Sequence, residues 1–286
     1  MKQPADSRII ILAAARNVAK VVESQVEILN KSFLDFKEVR IHIIESHSTD
    51  STVKVLEAIK SNYENFSFES ITKISDANLT RTERISLARN IAKEYAAKIS
   101  ESLDYVVVAD VDGVNSGLTR RAVIANWSHS EWDMVAANQK RDYYDIWALR
   151  LKNICPNDCW EDFEKFCRAM PRRKAFKLAI KSKMKSFIQH EGFLRVDSAF
   201  GGIAIYKSSI YFDAEYRGIS EKGIPICEHV PFNLRLIENG ARLFINTEFI
   251  NCESSTSSLP YRKRVKHFIF GDRFISNPRA TRSLIP

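Results

Sequence analysis

The chain lacks the marks of several protein classes. It has no apolar stretch long enough to span a bilayer, and its start, MKQPADSRIIILAAARN, carries only a short apolar run before Arg16, without a signal-peptide layout. A cytoplasmic protein is therefore expected. The five cysteines, Cys155, Cys159, Cys167, Cys227 and Cys252, form no CxxC and no paired spacing, so they support neither a disulfide framework nor a common zinc module. Free thiols are expected. There is no internal repeat, and no recognised nucleic-acid motif accompanies the net charge of +8, which favours an anionic partner without naming it. What is present is core material: 45% hydrophobic residues over 286 positions suffice for one large α/β domain, or one domain with an insertion.

Hydrophobic patterning predicts a β-α-β rhythm from residue 8. Arg8 to Ala15 is strand-like and leads into an amphipathic helix from about Val18 to Phe33, with Val22, Val26, Leu29 and Phe33 near helical spacing. A second strand follows at Val39 to Glu45. The SHSTDSTVKVLEAI segment behind it offers hydroxyl and acid residues to cap a helix. A third strand near Phe66 to Ile71, a helix from about Thr82 to Ile99 and a strand from Tyr105 continue the pattern as a parallel sheet. Later strands are expected at Asp133 to Ala137, Ala204 to Tyr206 and Arg242 to Asn246, with a helix from about Val230 to Glu238 ending at Gly240.

Between Leu151 and Leu194 the rhythm breaks. Arg172, Arg173, Lys174, Lys177, Lys181, Lys183 and Lys185 occur with no acid among them. Interleaved Phe176, Leu178, Ile180, Met184, Phe187 and Ile188 predict a helix suited to an anionic membrane surface, to covering a substrate groove, or to a solvated face. A second basic cluster, Arg262, Lys263, Arg264 and Lys266, follows a polar tail from Ser254.

The most informative segment is YVVVADVDG at Tyr105 to Gly113, in which a β-branched run delivers Asp110 and Asp112 to a strand end. Alternation points both acids to one side, and in α/β sheets ligands gather at the carboxyl ends of strands. Two hard oxygen ligands there suit Mg²⁺ or Mn²⁺, which usually complete their shell with water and a diphosphate.

Six segments taken in order resemble a GT-A-type nucleotide-sugar glycosyltransferase: the strand entering AAARN, the strand ending in ESHSTDST, the helix RTERISLARN, the strand end ADVDG, SAFGGIAIYK, and CEHVPFNLRLIENG. The order covers most of the chain. The run YYDIWALR beside WDMVAAN is similar to a segment of the fungal capsule-associated α-1,3-mannosyltransferase family and related bacterial polysaccharide transferases. The resemblance implies a GT-A-like, Rossmann-like α/β domain over 1–260, with a mixed, mainly parallel sheet flanked by helices. The basic helical insertion would occupy 151–194 and the basic tail 261–286. It further implies metal-assisted transfer of a hexose from a UDP- or GDP-sugar to a hydroxyl of a surface polysaccharide, lipopolysaccharide or lipid-linked glycan. The cofactor would be Mn²⁺ or Mg²⁺, the enzyme would work in the cytoplasm, with peripheral contact to an anionic inner membrane face, and no nucleic-acid partner is expected.

Residue by residue, the resemblance makes Asp112 the principal metal ligand, with Asp110 touching the ribose or sharing the metal. His267 resembles the C-terminal metal-binding histidine of this fold, or is a surface histidine. Gly113 stands where many such enzymes have an acid or a hydrophobic residue. Arg16 and Asn17, with Glu45 and Asp50, would surround base and ribose. Arg84 and Arg89 would pair with phosphate, or form an exposed helix face. Glu228 is the expected catalytic base, or an ordinary acid favoured by the helix dipole. With His229, Gly201 and Gly202 it would line the acceptor site, the glycines admitting close backbone approach or making a plain bend. Asp145 and Trp147 would read a sugar, through hydroxyl contacts and ring stacking, unless Trp147 is core. Stereochemistry stays open, since the mannosyltransferase-like segment suggests retention and Glu228 suits inversion. Two competing readings remain. VVVADVDGV with FGDRF mimics haloacid-dehalogenase-type phosphatases, although about a hundred residues precede the acids, and the basic segments would suit a nucleic-acid-binding protein.

Overall fold

The computed structural model describes residues 1–71, 79–188 and 192–252. The tail at 261–286, with His267 and the FGDRF run, lies outside the described residues. β1 (Arg8–Ala15) is continuously apolar because both of its faces are covered: Ile9, Ile11 and Ala13 enter one core and Ile10 and Leu12 the other. Full burial of each such Ile or Leu contributes roughly 1.5–3 kcal/mol. β2 (Glu38–Ser46), β3 (Phe66–Ile71) and β4 (Tyr105–Ala109) join it in parallel, in the order β3-β2-β1-β4.

Beyond β4 the sheet changes direction. β5 (Met134–Gln139), β6 (Phe193–Val196), β7 (Ile203–Lys207) and β8 (Leu243–Cys252) extend the order as β4-β7-β5-β8-β6, with β7 antiparallel to both neighbours, β5 parallel to β8, and β6 antiparallel to β8. The result is one mixed, mainly parallel sheet of eight strands. Helices α1 (Val22–Ser32), α2 (Thr52–Asn62) and α4 (Arg120–Ile124) cover one face. Helices α3 (Arg81–Ala97), α5 (Cys159–Cys167), α6 (Arg172–Ala179) and α8 (His229–Glu238) cover the other, and the short α7 (Ser208–Tyr211) follows β7. α3 starts at a capping box between Thr80 and Glu83. Its buried Ala88, Ala92 and Ala96 recur every four residues, so the helix can lie close to the sheet with Arg89 carried inward.

Four expectations need correction. α1 begins at Val22, not Val18, because Thr52 Oγ1 and Asp50 Oδ2 take the N–H groups of Val18 and Ala19 and hold that stretch as a turn. The final strand runs six residues past Asn246, its register against β5 shifting between Ala136 and Gln139. The insertion at 151–194 is not purely helical, because its end supplies β6 as the sheet's edge strand. Nor does one helix run through Ile188: α6 stops at Ala179, and the chain then turns so that Ser186 bridges Asp142 and the buried Phe187 packs on Tyr143 at 5.3 Å. No helix among the described residues is long and apolar enough to cross a membrane.

Candidate active site

The carboxyl ends of β1 and β2 lie side by side, and their loops are sewn together. Asn17 Oδ1 accepts from Thr49 N–H at 2.7 Å, Asn17 N–H donates to Ser48 Oγ at 3.0 Å, and Asp50 caps α2 through Thr52 while reaching Ala19. Glu45 is buried, with one oxygen accepting from Ser48 N–H at 2.7 Å and the other from Ser70 Oγ. Asn17 and His47 hold positive φ of 54° and 50°, a conformation that non-glycine residues adopt rarely and that clusters at ligand sites. Asn17, Glu45 and Asp50 therefore form one neighbourhood, with Arg16 beside Asn17 exposed to solvent. Arg84 lies at the first turns of α3, where its Nη1 donates to Leu79 O at 2.6 Å.

Arg89 is the hub of a second cluster. It is only 6% exposed; its Nε donates to Glu228 Oε1 at 2.9 Å and its Nη2 to Asp110 Oδ1 at 3.1 Å. The guanidinium lies 5.0 Å from the Phe200 ring centroid. Burial, the largest influence, opposes the charge, but Glu228 and Asp110 outweigh it and raise the Arg89 pKa. The exposed-face reading of Arg89 is thus overturned. Asp110 stands one residue beyond β4, where its N–H donates to Gly202 O at 2.8 Å and extends the ladder with β7. Burial pushes its carboxyl up to about 7; Arg89 works against that rise, while Asp112, Glu228 and Asp145 add to it. Asp112 is exposed, and its Oδ1 accepts from Val114 N–H at 3.2 Å.

Glu228 sits at the N-cap of α8, and both it and the adjoining His229 are buried. His229 stacks on Phe200 at 3.8 Å, and burial followed by Arg89 holds its pKa well below the usual histidine value, so it is neutral. Asp145 is buried and accepts from Gly201 N–H at 3.0 Å; burial pushes its pKa up to about 6. Trp147 is half-buried against the core and donates Nε1–H to Asp158 Oδ2 at 2.9 Å, which ties it to the start of the insertion.

Gly202 has φ of +92°, and an added Cβ would sit 2.7 Å from Val114 and 2.8 Å from the Tyr144 hydroxyl. The positive φ and the crowding by Val114 and Tyr144 require the glycine. Buried amides hold this turn. Asn115 Nδ2 donates to Asp110 O and Gly202 O, Asn251 Nδ2 to Asn115 Oδ1 and Gly201 O, and Gln139 Nε2 to Gly201 O and Asn251 Oδ1. These three residues were missed by sequence reasoning, since a buried amide looks like any polar loop residue until its partners are known. The one available signal was the position of Asn115 directly behind the two acids.

Among the described residues, no group of three or more His, Cys, Asp or Glu gathers as a metal cage. Mg²⁺ and Mn²⁺ often need no cage, binding through one or two carboxylates, waters and substrate oxygens. The exposed Asp112 beside Asp110, whose ionised form is disfavoured first by burial and then by its acidic neighbours, fits that kind of cation.

No protein-family model matches this chain, and no curated protein does. Solved structures do match. A mannosyltransferase from Pyrobaculum calidifontis, in complex with GDP-Man and Mn²⁺, aligns over 93% of this chain at 11% identity with a TM-score of 0.55. Residues 1–349 of S. aureus TarS, in complex with UDP-GlcNAc, align over 87% at 14% identity with a TM-score of 0.50. Without that ligand TarS covers 96% of this chain at 13% identity, also with a TM-score of 0.50. The fold is that of the GT-A glycosyltransferases. The chain spans 63% of the mannosyltransferase and 60% of the nucleotide-sugar-bound TarS chain. Most of the expected site residues fall into two groups, the sewn loops of β1 and β2, and the Arg89 cluster with Asp110, Asp112, Asp145, Gly201, Gly202, Glu228 and His229; Arg84 and Trp147 stand outside both, and His267 lies outside the described residues.

Proposed function

We propose that this chain transfers a hexosyl group from a UDP- or GDP-sugar to a hydroxyl of a surface-polysaccharide, lipopolysaccharide or lipid-linked glycan acceptor. The observation that carries the reading is the buried Arg89 joining Asp110 at the end of β4 to Glu228 at the start of α8, at the strand ends where α/β folds bind ligands. The GDP-Man with Mn²⁺ and the UDP-GlcNAc in the structural neighbours support a nucleotide-sugar donor.

In this reading the loop of Asn17, Glu45 and Asp50 receives base and ribose. Asp112 and Asp110 hold a Mn²⁺ or Mg²⁺, which when bound would neutralise charge developing on the leaving diphosphate. His267 is a proposed further ligand. Gly201 and Gly202 let the hexose and acceptor approach the backbone. The bond from the anomeric carbon to the diphosphate oxygen breaks, and a bond from that carbon to the acceptor oxygen forms. Where configuration inverts, the acceptor proton passes to Glu228. Arg89 Nε holds its Oε1, and His229 Nε2 stands 3.6 Å from the same atom, which leaves Oε2 to take the proton.

Calorimetric titration of UDP and of GDP, each with Mn²⁺ or with EDTA, into the wild type and Asp112→Ala tests the reading. Metal-dependent binding of one nucleotide, lost in the variant, is the expected result and selects the donor class. Binding of neither nucleotide would sink it and call for a phosphoester screen.

A further inference from the structure

The insertion breaks two rules of helix stability in one place. α6 opens with Arg172, Arg173 and Lys174, without an acid and without a side-chain cap, so three cations meet the positive end of the helix dipole. Arg173 and Lys177 then stand four residues apart on one face, a like-charge spacing that costs a helix a few tenths of a kcal/mol. Neighbouring cations are turned inward: Arg172 lies over the Phe163 ring at 5.2 Å, and Lys183 pairs with Asp162. Arg173 and Lys177 are exposed and border a groove of about 330 Å³ that is also lined by Phe176, Lys181 and Ser182. Local conflicts of this kind are expected where function, not folding, selects the residues.

Three residues past Ser182, a backbone hydrogen bond ties the chain leaving the groove to the segment that leads to the candidate active site. Tyr143 N–H donates to Lys185 O at 2.9 Å, and the Tyr143 hydroxyl accepts from Phe200 N–H at 3.3 Å. Two residues on, Asp145 holds Gly201.

We propose that this groove binds a phosphate group carried by the acceptor, with Arg173 and Lys177 taking phosphate oxygens and the Phe176 ring covering the adjoining carbon skeleton, while the Ser182 hydroxyl stays bonded to Leu178 O at 2.6 Å. A guanidinium beside an ammonium group is the chemistry that recognises a phosphoester. Calling the bearer an acceptor rests on the hexosyl-transfer reading; the phosphate site itself does not.

The test uses the full chain, in EDTA, as wild type, as Arg173→Gln/Lys177→Gln, and as a control, Lys54→Gln/Lys60→Gln, which removes the same charge from exposed positions of α2. One arm titrates inorganic pyrophosphate. The other sediments phosphatidylcholine vesicles with and without phosphatidic acid. The groove variant is expected to bind roughly tenfold more weakly than wild type and control in at least one arm. A loss with vesicles alone identifies a lipid-borne phosphate, and a loss with pyrophosphate alone a soluble one. Equal loss in both variants, or loss in neither, overturns the proposal. UDP and GDP titrations of the groove variant, run with Mn²⁺ in place of EDTA, keep the two readings separable: retained nucleotide binding shows a folded donor site, and a chain that binds no nucleotide in any form fails the hexosyl-transfer reading while leaving the phosphate result standing.

Discussion

The Arg89 cluster and the basic insertion both concentrate charge, and they handle it in opposite ways. At the cluster one buried cation faces Asp110 and Glu228, with Asp112 and Asp145 near enough to shift Asp110. In the insertion, cations without a single acid run from Arg172 to Lys185, and Arg173 and Lys177 face solvent. Charge inside the fold has to be paired, since an unpaired ion there loses its hydration without compensation, whereas charge on a solvated helix is tolerated at small cost. The first region should therefore be damaged by losing charge, and the second relieved by it.

The largest effect is expected for Arg89→Met, which leaves two acids without their cation and should cost about 3–5 kcal/mol, read from urea unfolding at pH 7.5. Adding Glu228→Gln should recover part of that loss. An Arg89 variant as stable as wild type would show that the cluster is not held by its charge.

Asp145→Asn is expected to act in the other direction. The folded chain favours the protonated carboxyl, with a pKa of about 6 against an unfolded value near 4, so stability falls as pH rises through that window and levels off above it. The variant should match wild type at pH 4 and exceed it by about 3 kcal/mol above pH 7. A constant difference across the pH range would contradict this assignment.

Gly202→Ala should cost about 1–3 kcal/mol, because the methyl group meets Val114 and the Tyr144 hydroxyl on a backbone with φ of +92°. Thermal unfolding reads the loss, and Gly223→Ala, where nothing lies within 4 Å of the added carbon, separates strain from crowding. Smallest of all, Lys177→Gln should gain a few tenths of a kcal/mol by removing the like-charge pair with Arg173. A measurable loss instead would remove the contrast between the two regions.

The half of the sheet from β1 to β4 was the legible part. The apolar runs of β1 and β4, and the hydroxyl and acid residues ahead of α2, encode local structure directly, and they located Asp110 and the loops of Asn17 and Asp50. Arg89 was flagged as a phosphate partner, but the amide-bonded turn was invisible: Asn115, Gln139 and Asn251 lie far apart along the chain and acquire meaning only when β4, β5, β7 and β8 are neighbours. The interruption of α6 was hidden for a similar reason, since Phe187 leaves helical spacing to pack on Tyr143.

Hydrophobic periodicity and turn chemistry act over a few residues, so the amino-acid order alone determined the β-α-β rhythm, the acidic strand end and the charge of the insertion. Strand order, the reversed β7, and the pairing of Arg89 with Asp110 and with Glu228, 139 residues away, were decided by tertiary structure. Long-range partners are selected by which surfaces fit when the sheet closes, and no local pattern records that choice.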